Sequence, residues 1–178
     1  HYVNTVIFDN CNIKITGGVK FITNKKNTVP TRFRSINTDF TYHSIGSMEI
    51  WMIYNFDDVI IKGGNIGDTS NGRTFSITNA LNIIIETMLY NSMIILGSNF
   101  ASSTSINYDF SKSRFYVNDN VKNTYTHQID LIRLVNTRGI VDLSECKVYY
   151  NSNKFNSSIQ YNLISCNSTV PFTGCNIL

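Results

Sequence analysis

An eight-position pattern recurs along the chain and constrains the possible fold more than any other feature. In its clearest form, large apolar residues stand at positions one and eight, an apolar residue at three and a small residue at six. Self-similarity at a spacing of 24 to 33 residues indicates a repeat architecture, in which each unit packs on its neighbours. The copies are Val6–Ile13, Phe33–Phe40, Val59–Ile66, Ile83–Tyr90, Tyr108–Phe115, Val141–Val148 and Val170–Ile177.

The pattern describes two short strands that meet at a bend. Alternation places positions one and three on the same face of the first strand. Two variable residues then break the alternation, and a small residue such as Gly64, Ser113 or Cys146 leaves room at the corner. A third apolar strand precedes each new copy. We therefore predict an all-β fold, a right-handed parallel β-helix (solenoid) of about seven coils with three short strands per coil.

Length and composition agree with one such domain spanning residues 1–178. The chain is rich in Asn, Ser, Thr and Ile, has only 2 Pro, and shows no sustained helical period. An antiparallel sandwich such as a jelly roll is the alternative, because short strands also recur there. The constant offsets within each copy favour the solenoid. Since the chain enters a strand near His1 and stops soon after another, we expect it to be a segment of a longer protein.

Charge and motif content exclude several classes of partner. The net charge is only +3, and no nucleic-acid-binding motif accompanies the basic residues around Lys25 and Arg32, so we expect no nucleic acid. No apolar run is long enough to predict membrane insertion. His43 and His127 have no Cys or acid at ligand spacing, so we expect no metal and no cofactor.

The four cysteines show neither metal-ligand spacing nor close pairing in the sequence. Cys11, Cys146 and Cys175 fall at the small corner position, and Cys146 and Cys175 would stack in adjacent coils within reach of a disulfide. Inward side chains at a corner serve better as small apolar filler. We therefore expect buried free thiols.

Position two of the pattern points outward and holds two large apolar residues, Ile60 and Ile84, in adjacent coils. A ladder of apolar side chains on an outward face usually marks a surface that another chain or another segment covers. We predict that these residues form a trimer interface. Coverage by one of the chain's own loops is the alternative.

The same outward position holds Asp109 and Asp142 in adjacent coils, with Glu145 just beyond. Glycoside hydrolysis uses two carboxylates about 5 to 9 Å apart, and close like charges raise the pKa of one of them. These three acids are therefore the candidate catalytic residues. The alternative is that they are solvated acids with cations close by, namely Lys112, Arg114 and Lys147.

Trp51 is the only tryptophan and lies in an alternating strand. The alternation predicts that Trp51 and Ile53 share an outward face. A flat exposed ring is a candidate platform for binding a sugar. An interface role, or coverage by a loop, is the alternative for Trp51.

The coil pattern, the Asn-rich bends, the scarcity of Pro and the variable loops together resemble the pectate-lyase-like single-stranded parallel β-helices. Among these, the chain looks most like the β-helical shafts of bacteriophage tailspikes and tail fibres. The resemblance covers essentially all 178 residues and includes no catalytic motif. It implies a homotrimer in the virion tail, attached to other tail proteins and extracellular at the host surface, that binds and often cleaves bacterial surface polysaccharide.

Three functions therefore remain open. The first is a structural and receptor-binding part of a tailspike or tail fibre that attaches to bacterial polysaccharide. The second is a polysaccharide depolymerase, a glycoside hydrolase or lyase, with Asp109 and Asp142 as its acids. The third is a bacterial surface adhesin on the same β-helix, for which we expect a monomer.

Overall fold

A computed structural model describes residues 3–15, 19–25, 29–42, 50–67, 73–90, 92–97, 106–117, 128–135, 137, 139–150, 160–167 and 176–177. Within these ranges the chain is all β, without any helix, and so has no helix that could cross a membrane. The strands are β1 (Thr5–Asp9), β2 (Asn12–Ile15), β3 (Val19–Thr23), β4 (Arg32–Ile36), β5 (Asp39–Tyr42), β6 (Ile50–Tyr54), β7 (Asp58–Gly67), β8 (Arg73–Thr78), β9 (Asn82–Tyr90), β10 (Ser92–Gly97), β11 (Ile106–Asp109), β12 (Arg114–Val117), β13 (Gln128–Val135), β14 (Gly139–Asp142), β15 (Lys147–Tyr150), β16 (Gln160–Asn167) and β17 (Asn176–Ile177).

Every pairing between these strands is parallel, and the strands form two sheets. One sheet has the order β1-β4-β7-β9-β11-β14-β17, with β2, β5, β12 and β15 joined beside this path. The other has the order β16-β13-β10-β8-β6-β3. Each strand therefore pairs with its counterpart in the next repeat, and the antiparallel alternative is wrong for the described residues.

The strand register confirms the first six predicted repeat starts. The position-one residues are aligned in one ladder, and those of the second to sixth copies are buried. The aligned pairs are Val6 with Phe33, Phe33 with Val59, Val59 with Ile83, Ile83 with Tyr108, and Tyr108 with Val141.

The fourth copy is one residue shorter than predicted. A bulge in β7 sets Gly63 and Gly64 opposite Thr87 alone, so that Ile66 is aligned with Leu89. The Thr87 hydroxyl lies 3.0 Å and 2.7 Å from the carbonyl oxygens of these two glycines, and it can donate to either. The small corner residue is therefore Thr87, and the closing apolar residue is Leu89, where Tyr90 was predicted.

The seventh copy was placed wrongly. Ile177 is aligned with Val141, so the seventh copy begins at Ile177 and not at Val170. The sequence of Val170–Ile177 satisfies the apolar pattern, but Pro171 at position two has no amide hydrogen for a strand ladder. The alignment on which the pairing of Cys146 with Cys175 depended is lost. Cys175 itself lies outside the described residues.

The core lies between the two sheets and is largely aliphatic and aromatic. The rings of Phe40, in the first sheet, and Phe75, in the second, are 6.5 Å apart and both fully buried. Phe33 contacts Phe56 edge-on at 5.9 Å. Burying one such side chain contributes about 1.5–3 kcal/mol, but a coil buries its apolar face only when its neighbours are present.

Asparagines form the bends that the sequence places between strands. Asn10, Asn37, Asn55 and Asn79 have φ between 45° and 63°, the left-handed conformation that Asn tolerates better than most residues. The Asn55 side chain donates to the Asn24 carbonyl at 2.9 Å, and Asn79 donates to the Asn55 side chain at 2.9 Å. Stacked asparagines therefore hold successive corners in register.

Candidate functional site

Three tyrosines stack on the outer face of the first sheet. The register aligns Tyr90 of β9 with Tyr116 of β12, and Tyr116 with Tyr149 of β15. Each pair of neighbouring ring centroids is 4.8 Å apart, and the planes differ by 18° and 11°. The residues before the first two tyrosines, Leu89 and Phe115, are buried, so alternation turns the tyrosines away from the core.

The stacking determines which parts of the rings a ligand can reach. Tyr116 has a ring stacked on each of its two faces, so a ligand can reach only its edge and its hydroxyl. Tyr149 is 43% exposed, and no further ring of a described residue stacks on it. This end of the column therefore offers an aromatic face, on which a sugar ring can pack.

This tyrosine column was not predicted from the repeat pattern. Its signal is a Tyr directly after the closing apolar residue of three successive copies. The error of one residue in the fourth copy hid the signal, because it counted Tyr90 as the closing residue itself.

Two cations lie beside the tyrosines. Arg114 and Lys147 are aligned partners at the start of β12 and β15, and both are exposed. Each precedes a column tyrosine by two residues and therefore projects from the same face. In the described part of the chain, neither side chain has an ion pair or a hydrogen bond.

Asp109 and Asp142 are aligned partners on adjacent strands, as predicted. Oδ1 of Asp109 accepts hydrogen bonds from the Ser111 amide at 3.0 Å and the Ser111 hydroxyl at 2.7 Å. Oδ1 of Asp142 accepts the same two bonds from Ser144, at 2.9 Å and 2.7 Å. Each carboxylate thus closes its own turn, which is a structural use of an acid at this position.

The bonds from the Ser144 amide and hydroxyl lower the pKa of Asp142. A lowered pKa favours the charged form, which suits a base or nucleophile and not a proton donor. Glu145 is exposed at the same turn. A catalytic role for Asp109, Asp142 and Glu145 stays a prediction.

We expect the folding stability of Asp142→Asn to fall less than that of the wild-type protein when the pH is lowered from about 6 to about 3. The folded-state pKa of Asp142 lies below its unfolded value near 4, so the unfolded chain takes up the proton first as the pH falls. Stability from this group is therefore present above about pH 4 and is lost as the pH falls through the folded pKa. Urea unfolding at about pH 6 and about pH 3 measures the difference. The control is Glu145→Gln, and equal pH dependence in Asp142→Asn and wild type would contradict this role.

Ile60 and Ile84 are aligned partners whose neighbours along the strands are buried, so both face outward and are half-exposed. Ile7, in the same ladder, is 60% exposed. A trimer contact through Ile60 and Ile84 stays a prediction. Two ion pairs with N–O distances of 3.1 Å border the isoleucines, Arg32–Asp58 and Lys62–Glu86.

The predicted orientation of strand β6 is wrong at Ile53, which is 1% exposed and belongs to the core. Both faces of this strand carry apolar residues, so alternation alone does not show which face is turned toward the core. The Trp51 backbone pairs with Phe75, but its side chain lies outside the described part. Sugar binding by Trp51 stays a prediction.

Cys11 and Cys146 are free thiols, and each is half-buried where full burial was predicted. Burial raises the pKa of Cys146 to about 11, so its thiol is protonated at neutral pH and is a poor nucleophile. The described residues contain no group of three or more His, Cys, Asp or Glu placed to hold a metal ion.

Comparison of the chain with protein-family models, curated proteins and solved structures finds no match. The features of this chain that bear on its function are therefore its strand register, its tyrosine column and the two exposed cations beside that column.

Proposed function

We propose that the two sheets belong to one right-handed parallel β-helix of about seven coils. The first sheet supplies both arms of each bend, which in the third and fourth copies belong to one continuous strand, β7 or β9, and the second sheet supplies the remaining strand of the coil. Every pairing joins one repeat to the next, which supports this arrangement. Parallel strands in one sheet are joined by right-handed connections in nearly all known cases, which supports the handedness.

On this fold, we propose that the chain is a structural and receptor-binding part of a bacteriophage tailspike or tail fibre. It lies in the virion tail, outside the host cell, and attaches to bacterial surface polysaccharide. The stacked column Tyr90–Tyr116–Tyr149 is the observation that carries the proposal. Aromatic rings with polar edges pack against the C–H faces of sugars, while their hydroxyls exchange hydrogen bonds.

A repeating protein surface suits a repeating ligand. In-register parallel strands present equivalent side chains about every 4.8 Å along the axis of the stack. A polysaccharide presents equivalent sugar units along its own chain, so several weak contacts form together. The combined affinity then exceeds that of any single contact.

The isoleucine ladder supports assembly of the chain with further copies of itself. Ile60 and Ile84 form a small apolar surface with charged residues on both sides. This arrangement of an apolar centre with a polar rim is typical of protein interfaces. We propose that this face joins the chains of the homotrimer, and that the ends of the stack join other tail proteins.

We expect the wild-type chain to bind immobilised bacterial surface polysaccharides, and Tyr149→Ala to bind about two- to tenfold more weakly. Removing the ring removes its stacking face, whereas Tyr149→Phe keeps the face and is expected to bind nearly as well. Biolayer interferometry on a panel of purified capsular and cell-wall polysaccharides measures the affinities. Binding by Tyr149→Ala equal to wild type would contradict the site.

The same samples test the assembly and the two other functions. Light scattering at several concentrations should give the mass of three chains, and a monomer would favour the adhesin. Release of oligosaccharide by the wild type but not by Asp109→Asn or Asp142→Asn would favour the depolymerase. Binding without release supports the receptor-binding proposal.

A further inference from the structure

Two successive repeats carry the same chemistry in the same order. Residues 109–116 read DFSKSRFY and residues 142–149 read DLSECKVY, so each has an Asp, a Ser, a small residue, a cation and a Tyr at equal spacing. The strand register superimposes them, with Arg114 aligned to Lys147 and Tyr116 to Tyr149. The result is a column of two cations beside the column of tyrosines.

Two of the cations on the face of β4, β7 and β9, Arg32 and Lys62, each have an acidic partner at 3.1 Å. Arg34 of β4 has none among the described residues, but its aligned neighbours are Ile7 and Ile60 and not a second cation. Arg114 and Lys147 have none in the described part of the chain, although like charges directly opposite each other on adjacent strands destabilise a sheet. A bound anion between them would remove that repulsion.

Other charges surround the cation column and limit what it attracts. Lys112 is exposed on the preceding turn, and Glu145 is exposed on the following one. Asp109 and Asp142 lie across the bend, each with one carboxylate oxygen turned into its own serine turn. The local charges nearly balance, so the face does not attract polyanions in general. An anion is favoured only where it reaches the Arg114 and Lys147 groups directly.

We infer that this face binds an acidic polysaccharide, with sugar rings against the tyrosine column and carboxylate or sulfate groups on Arg114 and Lys147. Each cation lies two residues from its tyrosine, about 7 Å along the strand, so one substituted sugar can reach both. Arg offers paired donors that match a carboxylate or sulfate, and Lys offers a compact charge. This inference rests on the proposed function and names the class of its ligand.

Two pairs of polymers that differ in charge test the inference. Polygalacturonate is compared with its methyl ester, and dextran sulfate with dextran, in about 0.15 M salt. We expect the wild-type chain to bind at least one acidic polymer and to bind its neutral counterpart at least tenfold more weakly. Arg114→Gln and Lys147→Gln should each lower affinity for the acidic polymer about three- to tenfold.

Arg34→Gln is the matched control, because Arg34 is also exposed and without a partner in the described residues but lies on β4. It should bind as the wild type does. Thermal unfolding of all three variants should match the wild type, since none of these side chains is buried.

Three results would overturn the inference. The first is that Arg34→Gln weakens binding of the acidic polymer as much as Arg114→Gln and Lys147→Gln do. The second is that the wild-type chain has the same affinity for the charged and the neutral member of both pairs. The third is that it binds single-stranded DNA as tightly as it binds the acidic polymer. Binding of neutral polymers that depends on Tyr149 but not on Arg114 would overturn the acidic ligand and leave the receptor-binding function intact. If the chain binds no acidic or neutral polysaccharide, including those of the bacterial panel, both the acidic ligand and the receptor-binding function are wrong.

Discussion

Ile61→Asp is expected to prevent the chain from folding. Ile61 is 0% exposed and stands at position three of the third repeat, aligned with Ser35 on one side and Ile85 on the other. A carboxylate there would be buried without a cation, which costs several kcal/mol in addition to the lost apolar contacts. Folded domains are stable by only about 5–15 kcal/mol in total. Circular dichroism and urea unfolding should show no cooperative transition.

The adjacent residue is the control for Ile61→Asp. Lys62 faces the opposite side of the same strand, is 44% exposed, and makes one ion pair with Glu86. Exposed ion pairs contribute about 0–1 kcal/mol, so Lys62→Ala should unfold nearly as the wild type does. Equal stability of the two variants would contradict the strand register.

Gly139→Ala is expected to have the second largest effect, a loss of more than about 4 kcal/mol of folding stability. Gly139 is aligned with Ile106 across β14 and β11, and its φ is +156°. A Cβ on Gly139 would overlap the main-chain carbonyl oxygen of Ile106. Because the obstacle is backbone, relief requires the two strands to separate. Thermal unfolding of the purified variant measures the loss.

Gly97→Ala is the matched control for this substitution. Gly97 also lies in a parallel strand, β10, but a Cβ there would meet the Thr78 side chain at 3.6 Å, an ordinary contact. We expect its stability to change by less than about 1 kcal/mol, since replacing Gly by Ala also restricts the unfolded chain. A similar loss in both variants would show that close approach of β11 and β14 is not the cause.

The repeat starts and the buried positions could be predicted because both follow from local alternation. Phe33, Val59 and Ile83 occupy position one, and any strand that buries position one also buries position three. The adjacency of Asp109 and Asp142 followed from the same alignment. Their bonds to Ser111 and Ser144 are equally local, since each Asp accepts from the residue two positions later.

The corners were harder to predict, because several bend lengths satisfy the same apolar pattern. The two glycines at 63–64 in one coil lie opposite the single Thr87 in the next, which moved the closing residue to Leu89. In the seventh copy, apolar spacing alone favoured Val170 as position one, whereas the strand ladder aligns Ile177 with Val141 of the sixth copy. Where both faces of a strand are apolar, as around Ile53, alternation does not show which face is turned toward the core.

The sequence by itself determined that this chain repeats, that equivalent strands pair in parallel, and which side chains of most copies are buried. Burial follows from alternation within each strand, and parallel pairing follows from the recurrence of the same pattern along the chain. Only the tertiary structure decided that Tyr90, Tyr116 and Tyr149 form one column beside Arg114 and Lys147. Those residues are separated by bends and loops of unequal length, and a register error of one residue in any of them moves a side chain to the opposite face.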